Sequence, residues 1–396
     1  MTRWRLIGLI LISLSLTGCW DRIETSDLAL VMATAIDEGA DGRVEVSTQL
    51  ALPAKMGGLT GQGGAASGVG KDAFTVVSAQ GRDIVDANQK MQKKLSRRLF
   101  QSHRRVIIFG ERLARKGVKE VLDGLTRDPE NRLRTFVLVA KGIEGKELLK
   151  VSYPFEFVPS EAIREMERSN VGLNVTLRDF LIMNETGSDS YMGVIEDQEK
   201  EKTNHSTGDK KYFRVNGSAL FHDQKLVDFL SDEETRGLKA ITGRYKHGFI
   251  TLSFPGGTEN VTISVLSMKT KLEPVIRGDR LVMRVRVKSE GDIHENDTRY
   301  DMADPKVIKI VEQMVEKEIE QRFMRTVRHV QNKHLDVLGF GEAIHRKDPE
   351  RWKSLKKDWN QRFSQMEVKI DVSSKIWRTG QSGPPVHYKK QEVNKK

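Results

Sequence analysis

The stretch 28–36 reads LALVMATAI, apolar except for one threonine, and predicts a strand buried on both faces. At 44–52 the pattern alternates, with Val44, Val46, Thr48 and Leu50 on one side, the signature of a second strand. A third strand is predicted at 74–77. A helix follows over 81–95, where Ile84, Ala87, Met91 and Leu95 recur every three or four residues. Strands at 105–109 and 135–139 flank a helix at 113–125. Strand and helix thus alternate, as in a layered domain with helices packed on a sheet, and parallel crossovers are the natural connection. Ser160 is placed to cap a helix running to 166, and 176–183 is a further short helix.

The run 196–211 (EDQEKEKTNHSTGDKK) has no aliphatic or aromatic side chain and reads as a linker or exposed loop. Beyond it, 212–222 is predicted as a strand and 226–230 as the start of a helix. Asp232, Glu233 and Glu234 suit a helix amino terminus, where the dipole favours negative charge. The last third differs in kind. Val261, Ile263 and Val265 alternate, as do Leu281, Met283, Val285 and Val287, and then Val368, Ile370, Val372 and Ile376. These predict half-exposed, antiparallel strands. One long helix is predicted from Pro305 to Asn332, striped by Val307, Val311, Met314, Val315, Ile319, Phe323, Val327 and Val330. It would be roughly 40 Å long. A second helix, 349–363, carries Trp352, Leu355, Trp359 and Phe363 on one face.

The expected fold class is therefore α+β and multi-domain. An N-terminal mixed α/β sheet domain (19–195) and the linker (196–211) lead to a small middle domain (212–260). A C-terminal domain (261–380) with an antiparallel sheet and long helices follows, then a basic tail (381–396) expected to be disordered.

The amino terminus adds an address. Arg3 and Arg5 precede an apolar stretch of about eleven residues, too short to span a bilayer and suited to a secretion signal over 1–18. Leu16-Thr17-Gly18-Cys19 closes it, and Cys19 is the only cysteine among 396 residues. A thiolate there can be alkylated by diacylglycerol, so Cys19 is read as the lipidation site. A free signal peptide with a coincidental cysteine is the competing reading. A single cysteine cannot form an internal disulfide, so packed cores must hold the exported body together. The formal charge is +11, of which the signal carries two. Spread over a large surface this is a solubility excess; concentrated, it draws the chain to an anionic bilayer. Nucleic acid is not an expected partner of an exported chain.

Signals for chemistry are sparse. Gly61-Gln62-Gly63 with Ala66 lies in a Gly-rich stretch (57–70) without the flanking strand and helix of a dinucleotide site, and reads as a loop. His329 and His334 are five apart and do not share a helix face. No HExxH, Gly-x-Ser-x-Gly or Walker sequence occurs. Gly339-Phe340-Gly341-Glu342 predicts a tight turn between the carboxy-terminal helices, with Phe340 plugging a core. Phe340, Glu342 and His345 are the candidate interaction residues at this turn. Neither a catalytic set, a metal site nor a cofactor is expected.

Three blocks resemble a known family. They are RRLFQSHRRVIIFGERLARKGVKEVLDGLTRDPENRLRTFVLVAKG (97–142), NGSALFHDQKLVDFLSDEETRGLKAITG (216–243) and LGFGEAIHRKDPERWKSLKKDWNQRF (338–363). With Gly18-Cys19-Trp20-Asp21 ahead of the first strand, they resemble the Ger(x)C family, the lipoprotein C subunits of bacterial spore germinant receptors. The resemblance implies a three-domain fold and a role without a reaction. It implies membrane A and B subunits as partners, attachment to membrane lipid through acylated Cys19 on the outer face of the spore inner membrane, and germination in response to nutrients. Whether this subunit binds the nutrient itself stays open. The alternative is a solute-binding lipoprotein serving a transporter; that class shows two similar lobes, which this pattern does not.

Overall fold

The computed structural model describes residues 24–53, 73–186, 188–198, 212–254, 259–278 and 280–380. The signal and Cys19, the whole Gly-rich stretch, the greater part of the expected linker and the basic tail lie outside the described residues.

The first half runs β1 (Leu28–Glu38), β2 (Val44–Ala51), β3 (Phe74–Gly81), α1 (Ile84–Gln92), β4 (Arg98–Phe100), β5 (Val106–Gly110), α2 (Glu111–Lys116), α3 (Lys119–Arg127) and β6 (Phe136–Lys141). It continues with α4 (Gly145–Leu148), α5 (Pro159–Arg168), α6 (Leu177–Glu185), β7 (Ser190–Gln198), β8 (Tyr212–His222), β9 (Lys225–Leu230) and α7 (Asp232–Ile241). The second half comprises β10 (Gly248–Ser253), β11 (Asn260–Arg277), β12 (Arg280–Asn296), α8 (Pro305–Asn332), α9 (Phe340–Lys347), α10 (Pro349–Leu355), α11 (Trp359–Gln365) and β13 (Glu367–Arg378).

Nine strands form one mixed sheet in the order β3-β2-β1-β5-β6-β7-β8-β9, with β4 added beside β1. Its centre, β1-β5-β6-β7, is parallel, and antiparallel hairpins close both edges. In β5, Ile107 and Phe109 enter one core while Val106 and Ile108 enter a second on the opposite face, so the strand is buried on both sides. The second sheet has the order β10-β11-β12-β13. Val261, Ile263, Met283, Val285 and Ile370 cover one of its faces against Val311, Val315, Ile319 and Phe323 of α8. The first core of the nine-stranded sheet and the core under α8 are one continuous cluster.

The architecture is α+β, as the pattern predicts, with particular differences. The segment 212–260, expected as a middle domain, is divided between the sheets. Strands β8 and β9 extend the first sheet through β7, and β10 pairs with β11. The run 226–230, expected as a helix start, is strand β9. Asp223 (φ 46°) and Gln224 (φ 62°) make a two-residue hairpin turn that returns the chain onto β8. The helix expected at 113–125 is two, broken at Gly117, whose φ of 131° ends α2. The helix expected at 349–363 is α10 and α11 joined by a 3-10 turn at Lys356–Asp358. Strand β13 is parallel to β12, because four intervening helices carry the chain back to the end from which β12 began. Ser160 sits inside α5, which starts at Pro159, and does not cap it.

Phe323 is 1 % exposed at the centre of α8. Phe323→Ala is expected to destabilise the protein by about 3–5 kcal/mol. Because the core is shared, urea unfolding followed by fluorescence and by circular dichroism should shift together. A loss confined to one probe would contradict a shared core.

Candidate functional site

The most concentrated buried chemistry lies where the chain leaves α8. His334 turns it in the left-handed region (φ 57°), and Gly339 (φ 77°) turns it again into α9. Between them sits Asp336, wholly buried. Its carboxylate accepts from Phe340 N at 3.0 Å, Gly341 N at 2.7 Å and Trp359 Nε1 at 2.9 Å. Two of these donors are the free amides of the first turn of α9, which otherwise lacks a side-chain cap. Burial pushes the Asp336 carboxyl up to about 6 against the pull of those donors.

Asp189, just before β7, joins this group to the first sheet. Its Oδ2 accepts from Asp336 N at 2.7 Å, and its own amide donates to Asp336 O at 3.1 Å. Its Oδ1 lies 2.6 Å from Nδ1 of His222, at the end of β8. Burial raises the Asp189 carboxyl, and the His222 contact only partly offsets it. Burial opposes charge on His222, but Asp189 outweighs that and holds its pKa above the usual value. A polar chain therefore runs from His222 through Asp189 and Asp336 to Trp359. Gly341 is required in it: a Cβ there would stand 2.6 Å from Cη2 of Trp352 and 2.9 Å from Nε1 of Trp359.

The structure separates the three residues singled out near this turn. Phe340 is fully buried, with its ring centroid 5.8 Å from Phe363. Glu342 is half-buried and lines a cleft of about 920 Å³ between the two sheets, with Asp189, Arg244 and Glu273. His345 is exposed, 6.2 Å from the Trp352 ring. The charged groups of the cleft are already engaged. Arg244 donates to Tyr191 Oη and to Asn174 O, Lys347 to Pro274 O, and Glu273 pairs with Lys271 and Arg286.

Sequence reasoning missed Asp336, Asp189 and the buried pair Glu167 and Lys239. Lys239 Nζ donates to Asn170 O at 2.7 Å and Gly172 O at 2.8 Å. Burial lowers its pKa to about 8, and raises that of Glu167 to about 7. The available signal was a charge inside an apolar run, as in LDVLGF and GLKAI. His329 holds Glu234 at 2.6 Å and Asp228 at 3.3 Å, so its imidazole is committed to carboxylates. Among the described residues no group of three or more His, Cys, Asp or Glu is placed to hold a metal ion.

Fold and site define an α+β protein whose buried ionisable groups join its sheets and helices. Comparison with known proteins adds the class. Residues 21–197 match the model "Spore germination protein N-terminal domain", and 216–380 match "Spore germination B3/ GerAC like, C-terminal". The chain is 32% identical to the putative spore germination protein YfkR of Bacillus subtilis, covering 91% of this chain and 92% of that one. It is 29% identical to spore germination protein KC of the same organism, over 94% and 95%. The fold is similar to that in the crystal structure of the GerBC protein, with a TM-score of 0.58 at 21% identity, covering 87% of this chain and 96% of that one. This is the architecture of a spore germination protein. The chain belongs to the Ger(x)C family.

Asp336→Asn is expected to destabilise the fold by about 1–3 kcal/mol, since an amide must turn a donor toward one of three N–H groups. The sign with pH follows from the raised carboxyl. An unfolded aspartate releases its proton near 3.8 and the folded one near about 6, so folded chains hold more protons between those values. Stability from this group falls as pH rises through that window and is constant above it. Asparagine removes the titration, so its penalty is larger at pH 4 than at pH 7. Urea midpoints of both proteins check this, and a penalty that grows with pH contradicts it.

Proposed function

We propose that this chain is the noncatalytic, lipid-anchored C subunit of a spore germinant receptor, held on the outer face of the spore inner membrane. In this reading it assembles with membrane A and B subunits to trigger germination in response to nutrients. The observation that carries the reading is similarity along nine-tenths of the chain to spore germination proteins, joined to a lone cysteine at the end of a secretion signal. Among the described residues no helix is long and apolar enough to cross a membrane. Attachment then falls to acylated Cys19, where two acyl chains hold stably and one is marginal. The buried ions support a body without a reaction of its own: each of them is bonded to backbone or to another element. Glu342, at the cleft, and exposed His345, both on α9, are proposed as contacts for a partner subunit.

Cys19→Ala is expected to move most of the protein from the membrane to the soluble fraction of spores and to slow germination. Fractionation and nutrient-triggered loss of optical density measure both. Full membrane retention with a normal nutrient response would sink the anchor. Glu342→Lys combined with His345→Ala should lower crosslinking to A and B subunits several-fold while leaving the unfolding midpoint in place. Unchanged crosslinking removes α9 from the contact.

A further inference from the structure

The end of the first sheet at which β1 begins carries a concentration of unneutralised arginine. Leu28, the first residue of β1, pairs with Arg98 of β4. Strands β5 and β6 begin at the same end, as the hydrogen bonds Arg105 N to Met32 O (2.9 Å) and Phe136 N to Arg105 O (3.0 Å) fix. Immediately before these strand starts stand Arg105 and the exposed run Arg132-Leu133-Arg134, and beside β4 stands exposed Arg97. Among the described residues none of Arg97, Arg105, Arg132 and Arg134 pairs with a carboxylate. Of the nearby acids, Glu130 is taken by Arg98 at 2.7 Å, and Glu161 and Glu165 by Arg164. Glu24 and Asp27 precede β1 and Asp128 lies near Arg104, so the arginines outnumber the remaining carboxylates. Burial, then the charges of Arg105, Arg132 and Arg164, hold the pKa of His103 below its usual value, an internal reading of the positive potential here. The scaffold beneath is tied together. Buried Arg104 donates to Gln101 Oε1 at 3.0 Å and to Asn131 Oδ1 at 2.6 Å, joining the two basic segments.

Position gives this patch a partner. Cys19 precedes Leu28 by nine residues, and a chain of that length spans at most ~30 Å. A lipid on Cys19 therefore brings this end of the sheet closest to the bilayer. The other arginine-rich surface, the outer face of the second sheet, is neutralised in place: Arg280 with Glu367, Arg284 with Asp371, Arg286 with Glu273. Exposed charges act over about a Debye length, ~10 Å, so only a face held near the headgroups responds to them.

We propose that the strand-start end of the first sheet, with Arg97, Arg132 and Arg134 exposed and Arg105 half-buried behind them, is a docking face for an anionic phospholipid bilayer. It fixes the orientation of the tethered body and rests on the reading of Cys19 as the anchor. Leu133, 43% exposed between two of the arginines, meets the interface with them.

The test uses the mature acylated chain in vesicles of phosphatidylcholine alone, or of phosphatidylcholine with phosphatidylglycerol, followed by hydrogen exchange. Amides of 97–105 and 131–136 should exchange about five-fold more slowly on the anionic vesicles. That protection should vanish in about 0.5 M salt, and in the triple variant Arg97→Gln, Arg132→Gln, Arg134→Gln, whose exposed side chains leave the fold intact. Equal exchange on both vesicle types, or slowing confined to 280–288, overturns the docking face. Flotation separates the two readings. A chain that does not float with neutral vesicles lacks the anchor, and this proposal falls with it. A chain that floats but shows equal exchange removes the docking face alone.

Discussion

A carboxylate removed from water must be met by donors, and this requirement at Asp336 organises the joint between the two halves of the molecule. Ionised, it accepts from the first turn of α9 and from the Trp359 indole, while its backbone exchanges two hydrogen bonds with Asp189. One residue thereby fixes the start of α9, the position of the α10–α11 aromatic pair and the end of the first sheet at β7. The Trp352 and Trp359 rings, 5.0 Å apart at 71°, close over Gly341, where a side chain has no room. Changing any of these parts alone leaves a buried charge or donor unmet, which costs more than the pair contributes.

Much of the fold was legible because burial imposes a period. The stripe from Val307 to Val330, with Pro305 at the first turn, placed α8 over Pro305–Asn332. The alternating sets likewise placed β2, β11, β12 and β13, and the continuous apolar run 28–36 placed β1. What was not legible depends on contacts distant in sequence. Strand β7 ends in Glu196, Asp197 and Gln198, whose polarity reads as loop; the strand persists because β8 pairs along it and Arg214 meets Glu196 at 2.8 Å. In β9, Leu226, Phe229 and Leu230 have helical spacing, and only the turn at Asp223 and Gln224 decides for a strand. Strand direction carries no period at all, so the parallel pairing of β13 emerges only from the helices that precede it.

The site divides in the same way. Phe340 as a core plug and Trp352 and Trp359 as packed rings follow from spacing, and the structure buries all three. Asp336 and Lys239 were silent. A lone charge in an apolar run predicts burial, but the carbonyls or amides that satisfy it come from segments dozens of residues away. Lys239 is held by carbonyls of the turn after α5, a separation of 67 and 69 residues.

Buried ionisable groups recur at three joints between elements. Asp37, at the end of β1, accepts from Gly145 N at 2.9 Å and Lys146 N at 3.0 Å and so fixes α4 on the sheet. Lys239 of α7 is held by the turn after α5, where Glu167 is buried beside it, and Asp189 with Asp336 ties β7 to α9. In each the carboxyl pKa is raised, with burial the largest cause, so ionisation opposes folding at neutral pH. Apolar side chains of similar volume would pack more favourably there, yet packing alone does not distinguish one sliding position of a helix from the next. Directional bonds do. With one cysteine in the chain no internal disulfide can set these positions, and the buried carboxylates take that role at the places where helices meet the sheet.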